Sequence, residues 1–180
     1  MRREGRAYLG RHRFPNDITE FELLRAFTFS DRERRDIRRA FRVRYRLAAA
    51  LQLGFLRLTG TALGSVAYVP TVVLHHLGRQ FRGPTPDLAT LRALYRRRPT
   101  RFEHRRWAIE YLGLCKLDAR GETGLDEELR QRTHGTLARS RLEQCAREWL
   151  HGRRYLIPGP RRIKARVRRV VQTIEADDHR

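Results

Sequence analysis

The sequence predicts an all-α fold, and three observations support this prediction. Apolar residues recur at intervals of three and four through most of the 180 residues, capping signals precede these runs, and glycines follow them. Alternation of apolar and polar residues, which is typical of strands, is nearly absent, and its one candidate, 66–69, is too short to build a sheet. We expect two consecutive small helical subdomains of helix-turn-helix-like type.

The predicted helix starts carry side chains that suit a first turn. In a capping box, a hydroxyl oxygen accepts from the first-turn amides while a Glu three residues later reaches back. Proline loses no hydrogen bond at the first helical position, which predicts further starts at Pro70 and Pro86. The four predicted capping boxes are Thr19/Glu22, Ser30/Glu33, Thr100/Glu103 and Ser140/Glu143.

Apolar runs between these signals define the predicted helix faces. The first face spans 37–58 with one interruption near 43–45, and the later ones span 73–81, 88–95, 107–112, 142–150 and 163–174. Gly60, Gly113 and Gly152 predict helix ends. The stretch 121–124, which begins and ends with glycine, is predicted to be a loop.

The segment 47–74 is apolar enough to be weighed as a membrane span. Arg57 lies near its centre, where an arginine costs about 2.5–3.5 kcal/mol on insertion. We therefore predict a buried core helix followed by a turn.

The prolines and the glycine of 82–86 forbid a continuous helix and mark the predicted internal boundary. The predicted organisation is a basic N-terminal arm (1–17), a first helical subdomain (18–83), a second helical subdomain (84–176) and a tail (177–180).

The charge of the chain points to a polyanionic partner. It has 40 Lys and Arg against 20 Asp and Glu, a net charge of +20, and only Lys116 and Lys164 are lysines. The arginine fork matches phosphate oxygens and guanine edges. A GC-rich gene would also raise the arginine content, and charged residues usually form a solvated face without a binding role. Clustering favours a binding role, because arginines concentrate in 32–46, 96–106 and 153–169 whereas acids concentrate in 122–128 and 175–178.

No pattern in the sequence predicts catalysis, a cofactor, a metal site or a small-molecule substrate. A phosphate-binding glycine loop and a nucleophile elbow are both missing. Cys115 and Cys145 are thirty residues apart, which predicts buried reduced thiols ahead of a disulfide or metal site. His75 and His76 are predicted to be structural or at the surface. The polar start of the chain predicts no signal peptide and a cytoplasmic, nucleoid-associated protein.

Short helices joined by tight turns, with arginine opposite the apolar face, suit insertion into the major groove of DNA. Arg101 and Arg105, near the start of the helix predicted after Thr100, are the candidates for base edges. A second row runs at helical spacing through Arg32, Arg35, Arg39, Arg42 and Arg46, and Arg161, Arg162 and Arg166 are the candidates for phosphate contacts. Tyr45, Trp107 and Tyr155 are predicted to be core or boundary aromatics rather than platforms for bases.

These residues lie within a longer pattern that begins at Ile18-Thr19 and includes the block Ala50-Leu-Gln-Leu-Gly-Phe-Leu-Arg57-Leu-Thr-Gly60. Further parts of the pattern are Val69-Pro70, Leu74, Gln80, Arg97, Thr100, His104, Tyr111-Leu-Gly113 and the stretch 153–158. Over most of 18–174, the chain resembles the N-terminal DNA-binding region of the replicative transposases of the Tn-three family. Tyr45 departs from the family, which usually has Asn there.

The resemblance implies tandem helix-turn-helix-like modules that bind double-stranded DNA at the terminal inverted repeats of a transposon. In that family the catalytic acids lie hundreds of residues further on, so the resemblance implies a non-enzymatic recognition part, from a truncated gene or a remnant. Residues and resemblance together suggest these DNA contacts: Arg35, Arg38, Arg39, Arg42, Arg46, Arg97, Arg98, Thr100, Arg101, His104, Arg105, Arg161, Arg162 and Arg166.

Three other functions stay open at this point. Non-specific RNA binding by a basic helical protein agrees with the net charge. A peripheral membrane protein agrees with the basic amphipathic stretch 161–174. A nuclease or recombinase is the third alternative, and magnesium-dependent cleavage would be its mark. The sequence leaves open which repeat is bound and the oligomeric state.

Overall fold

The computed structural model of the chain describes residues 7–81, 87–133 and 138–178, which form nine helices and no strand. The helices are α1 (Glu20–Phe27), α2 (Asp31–Ala40), α3 (Val43–Thr59), α4 (Thr71–Phe81), α5 (Leu88–Arg96), α6 (Arg98–Tyr111), α7 (Ala119–Thr133), α8 (Arg139–Gly152) and α9 (Pro160–Asp178). They form two compact units, the first ending at Gly113 with α1 to α6 and the second starting at Leu114 with α7 to α9. The predicted all-α fold is confirmed.

Helix α3 is the centre of the first unit, and α1, α2, α4 and α6 pack around it. Every residue from Leu47 to Leu56 is buried, as expected of a helix that is surrounded on all sides. The segment weighed as a membrane span therefore supplies the core of this unit. Within the described ranges, no helix is long and apolar enough to cross a membrane.

Two residues of the block 50–60 explain its composition. A Cβ at Gly54 would lie 2.2 Å from Cδ1 of Phe27, so only glycine lets this ring of α1 touch α3. The buried Gln52 donates to the carbonyl of Leu63 and accepts from the amide of Leu63, both at 3.2 Å. The side-chain amide of Gln52 thus satisfies the backbone hydrogen-bonding groups of Leu63 and anchors the loop that follows α3.

Two predicted capping boxes mark real helix starts. Ser30 and Glu33 form a complete box at α2. At α1, Thr19 accepts from the Glu22 amide at 3.2 Å, but the buried Glu22 carboxylate pairs with Arg25 at 2.8 Å. The box at α1 therefore has the bond to the Thr19 hydroxyl, but the Glu22 side chain is engaged by Arg25 instead of reaching back to the Thr19 amide.

The other two predicted boxes are wrong. Helix α6 begins at Arg98 and α8 at Arg139, and neither helix has a side-chain cap. Thr100 and Ser140 lie inside the first turns. In α6 the proline at 99 fits a first turn, which lets the helix start before Thr100.

Prolines and glycines mark several boundaries as predicted. The Pro70 carbonyl accepts from the Val73 and Leu74 amides at the start of α4. Gly60 ends α3 with a left-handed φ of 67°, and Gly113 follows α6 with a φ of 62°. Gly152 is instead the last residue of α8.

Pro86 lies outside the described residues. Helix α5 begins at Leu88, and the Asp87 side chain caps it by accepting from the Thr90 amide at 2.7 Å.

In the second unit, α7, α8 and α9 pack against one another in pairs. The predicted loop at 121–124 is wrong, because these residues belong to α7. A Cβ would lie 2.7 Å from Tyr155 Cζ at Gly121 and 3.1 Å from Trp149 Cζ2 at Gly124. Both glycines therefore make room for the stacked Trp149 and Tyr155 rings, whose centroids are 6.1 Å apart.

The cysteines of this unit are both free thiols. Cys145 is buried as predicted, whereas Cys115 is exposed. The Cys115 amide donates to Arg154 and its carbonyl accepts from Leu156, at 3.0 and 2.8 Å. These bonds fasten the start of the unit to the segment that follows α8.

The compact units differ from the subdomains predicted at 18–83 and 84–176. Helix α6 packs on α3, and α5 packs on α6, so both belong with the helices that precede them. The predicted boundary at 82–86 lies outside the described residues.

The described part of the predicted arm 1–17 is packed on the first unit. Phe14 contacts the rings of Phe27 and Phe55, with centroids 6.0 and 4.9 Å apart. The Gly10 amide donates to the Thr59 carbonyl at 2.8 Å. The segment 7–17 is therefore folded against the helices, because its apolar residues have core partners.

Candidate nucleic-acid interface

Helix α6 has a basic exposed face. A single residue, Arg97, occupies both the C-cap position of α5 and the N-cap position of α6, and its side chain makes no capping bond. Because His104 points into the core, helical spacing puts Arg98, Phe102 and Arg105 on the exposed side. The first turn contains no acid and has no side-chain cap, so its dipole and open amides favour an anion.

A cleft of about 300 Å³ separates this face from the loop that follows α3. Its lining residues are Leu63, Gly64, Arg98, Arg101, Phe102 and Arg105. A neighbouring cleft shares Gly64 and Arg101 and adds Arg92 and Arg96 of α5. We call the two together, between the loop 60–70 and helices α5 and α6, the basic groove.

Arginines of α5 and α6 also hold the loop side of the basic groove. Arg92 donates to the carbonyls of Val66 and Ala67, and Arg101 donates to the carbonyl of Gly64 at 3.3 Å. Arg101, predicted to contact a base edge, thus uses one of its donors on the loop and is half-buried. The groove is therefore shaped by bonds within the protein.

The remaining arginines of the groove are free to bind an anion. Arg96, Arg98 and Arg105 line the groove and are exposed. Arg97, between α5 and α6, is also exposed, and none of these four arginines pairs with a carboxylate in the part of the chain that the structure describes. Burial first, and then the charge of Arg105, lowers the pKa of His12. The smaller contribution, from Arg105, places this positive charge close to His12.

His104 and Thr100 do not belong to this surface. His104 is 1% exposed and lies against the rings of Phe41, Tyr45 and Tyr95. Burial lowers its pKa to about 4, so His104 is a neutral core residue, away from the exposed side of α6 where the sequence predicts a DNA contact. Thr100 is half-buried in the first turn of α6.

The arginine row predicted over 32–46 is divided between two helices. The backbone is extended at Phe41 and Arg42, which separates α2 from α3. Arg46 turns back and donates to the carbonyls of Phe41 and Arg38, at 3.0 and 3.4 Å. Arg46 therefore closes the end of α2 and uses two of its donor nitrogens within the protein.

The other candidates of this row are exposed at the end of α2 and the start of α3. They are Arg35, Arg38, Arg39 and Arg42, and none pairs with a carboxylate among the described residues. Neighbouring arginines are paired, since Arg32 lies 4.0 Å from Asp36 and Arg34 contacts Asp31.

Helix α9 carries the basic face of the second unit, opposite buried Ile163, Val167 and Val170. Its exposed cations are Arg161, Arg162, Lys164, Arg168 and Arg169, and the described residues offer none of them a carboxylate partner.

Arg166 does not belong to this face. Its side chain is 12% exposed and contacts the carboxylates of Glu122 and Asp126 at 2.8 and 2.9 Å. It ties α9 to α7, whereas the sequence predicts a phosphate contact for it. The reason is its place beside the apolar stripe that contains Ile163 and Val167.

The aromatics considered for base stacking have partners inside the protein. Trp107 packs edge-on against Phe41 and stacks on Tyr111 at 4.9 Å. Tyr45 faces His104, and Tyr155 stacks on Trp149. The prediction that they are core or boundary residues agrees with these contacts.

Sequence reasoning missed Phe102 and Arg92. Phe102 is 65% exposed although it is large and apolar. Its position four residues after Arg98 and three before Arg105 is the signal in the sequence that would have placed it on the arginine face.

The fold and these surfaces define an all-helical protein with arginine on exposed faces of both units. A family model described as "Domain of unknown function (DUF4158)" matches residues 5–170, and the chain belongs to this family. It is also 32% identical over 170 residues to a protein of Comamonas testosteroni named "Transposase for insertion sequence element IS1071 in transposon Tn5271". The match covers 94% of this chain and 17% of that protein, so the chain spans about a sixth of the length of this curated relative. The predicted relationship to transposases is confirmed at the level of a transposase-related family.

Proposed function

We propose that this chain is a duplex-DNA-binding module that recognises the terminal inverted repeats of a transposon. The observation that carries the proposal is the basic groove, where Arg96, Arg98 and Arg105 are exposed beside the start of α6 and have no carboxylate partner in the described residues. A helix with this face fits the major groove, where arginine is the commonest reader of guanine.

Helices α5 and α6 supply the geometry for this role. They meet at Arg97 and pack on each other, and α6 is also packed on α3. In this arrangement α6 acts as the recognition helix of a helix-turn-helix-like module, held rigidly by its buried side. Arg98 and Arg105 contact base edges or nearby phosphates, and Arg101 keeps the loop in place.

The other exposed arginines supply phosphate contacts. In the first unit these are the free arginines around the α2–α3 junction, and in the second unit they are the cations of α9. Such contacts fix the position of a protein on the duplex and carry no sequence information directly. Both units therefore contribute affinity, and α6 contributes the sequence preference.

The name of the relative in Comamonas testosteroni supports the transposition part of the proposal. A transposase must find the ends of its element before any strand is cut, and a basic helical module can supply this recognition. We assign strand transfer chemistry to no residue of this chain.

The test is selection of bound DNA from a duplex library with a randomised central region, using the full chain. We expect enrichment of one sequence, which should match inverted repeats in the DNA around the gene and should outcompete scrambled duplex and structured RNA. Absence of enrichment, or equal competition by structured RNA, would overturn the proposal and favour the non-specific RNA-binding alternative.

A pair of variants with equal charge change sharpens this test. Arg98→Ala with Arg105→Ala removes two free cations of the basic groove. Arg130→Ala with Arg132→Ala removes two cations of α7 that are paired with Glu127 and Glu128. We expect the first pair to abolish preference for the selected sequence and the second to retain it. Equal effects of both pairs would show that only net charge matters.

A further inference from the structure

The apolar residue at the centre of the arginine face has no explanation in the fold. Phe102 is 65% exposed, whereas the aromatic rings on the other side of α6 have partners within the first unit. Helical spacing puts it between Arg98 and Arg105 on one side and Arg106 on the other. Its ring is part of the wall of the basic groove.

The chemistry of the major groove limits what a phenylalanine can meet there. Base edges in this groove present hydrogen-bond donors and acceptors, and the apolar group that they display is the C5-methyl of thymine. Insertion of apolar side chains between bases is a device of proteins that bind the minor groove. A phenylalanine flanked by arginines on an exposed helix face is therefore complementary to a thymine methyl beside phosphates or guanines.

We propose that Phe102 is a specificity-determining residue that contacts the C5-methyl group of a thymine in the bound duplex. This inference rests on the proposed function, because it requires α6 to lie in the major groove. The arginines hold the helix at the base edges, and the ring then covers the methyl and excludes water from it. Burial of one such group is the source of the preference.

The experiment uses the duplex selected by the full chain, with each thymine replaced in turn by deoxyuridine, which lacks only the methyl group. We expect one or two replacements to weaken binding roughly fourfold, the effect of leaving one methyl-sized apolar group unburied. With Phe102→Ala, the same replacements should change affinity less than about 1.5-fold, because the partner of the methyl is gone. Phe102→Leu should restore part of the sensitivity.

Phe21→Ala is the matched control, since Phe21 is 55% exposed on α1 beside Glu20 and Glu22, away from arginine clusters in the sequence. It should keep the full response to deoxyuridine. If no replacement weakens binding of the wild-type chain, or if the sensitivity persists in Phe102→Ala, the inference is wrong while the selected sequence still supports the proposed function. If no sequence is selected at all, both proposals are lost.

Discussion

The hydroxyl oxygen of Tyr95 lies 3.1 Å from Nδ1 of His104 and 3.0 Å from the carbonyl oxygen of Ala48. Because a carbonyl can only accept, the Tyr95 proton goes to Ala48 and the hydroxyl oxygen accepts from Nδ1–H of His104. This chain of bonds joins α3, α5 and α6 inside the first unit. It keeps the helix behind the basic groove in one orientation.

The neutral, buried His104 predicts a loss of stability in acid. Its pKa is about 4 in the folded chain against an ordinary 6.5, so the unfolded chain binds the proton first as pH falls. The contribution of neutral His104 to stability is complete above its ordinary pKa and is lost as the pH falls from that value to the pKa in the folded chain. From about pH 7.5 to about pH 5, we expect His104 to account for roughly 2 kcal/mol of the decrease in unfolding free energy.

Urea unfolding at the two pH values measures this effect. A Trp149→Phe background leaves Trp107 as the fluorescent reporter of the first unit. His104→Gln should reduce the pH response, whereas His75→Gln, which changes an exposed histidine, should preserve it. An unchanged response in His104→Gln would show that burial of His104 is not the cause.

Glycines of the second unit should differ sharply in their tolerance of a methyl group. Gly121→Ala places a Cβ 2.7 Å from the Tyr155 ring and 2.8 Å from Leu117, and we expect it to lower the unfolding free energy by about 1–3 kcal/mol. Gly152→Ala meets open space at the end of α8 and should be neutral or slightly stabilising. Trp149 fluorescence in a Trp107→Phe background reports both. Equal tolerance would argue against the packing of Tyr155 on α7.

Two neighbouring arginines of α9 should have separable effects. Arg166→Ala leaves the partly buried Glu122 and Asp126 without their cation, and we expect it to lower the stability of the second unit by about 1–3 kcal/mol. Arg162→Ala should leave stability unchanged and weaken binding of every duplex alike. Urea unfolding and binding to random duplex distinguish the two variants. Identical behaviour would contradict the separate roles.

Binding to duplex DNA should depend steeply on salt. If the exposed arginines of both units contact about 6–10 phosphates, affinity should fall roughly a thousand- to a hundred-thousand-fold between about 50 and 200 mM salt. Fluorescence anisotropy with the selected duplex measures the slope, and Arg162→Ala should reduce it by about one unit. A nearly flat dependence would contradict nucleic-acid binding.

Arg105→Ala should relax the sequence preference at one or two base pairs. A bidentate arginine–guanine contact discriminates by about 1–3 kcal/mol. Without it, duplexes that differ only at the contacted base pair should bind with equal affinity. The measurement is a binding series on these variants at two salt concentrations. Uniform weakening on all of them would mean that Arg105 contacts only the backbone, and base recognition would then have to come from the arginines at the α2–α3 junction.

The elements with the strongest local signals were predictable. Ser30 and Glu33 define the start of α2, and Gly60 ends α3, because capping depends on atoms within a few residues of each other. The apolar segment from Leu47 onward predicted a core helix because an unpaired Arg57 is too costly in a bilayer. The segregation of arginine from acid, which motivates the DNA proposal, is likewise a property of the sequence.

Long-range packing decided the rest. Position 121 in α7 is a glycine because the Tyr155 ring occupies the space that a Cβ would need. The neighbouring residues in the sequence do not distinguish such a helical glycine from a loop glycine. Arg166 and Arg162 look equivalent in the sequence, yet the carboxylates of Glu122 and Asp126, about forty positions away, bind only Arg166. His104 was predicted to contact DNA because it lies among arginines in the sequence, and three surrounding rings bury it. Composition and short-range spacing thus determined the helical class, many of the helix boundaries and the charge, whereas the tertiary contacts determined which of the charged and polar residues remain free at the surface.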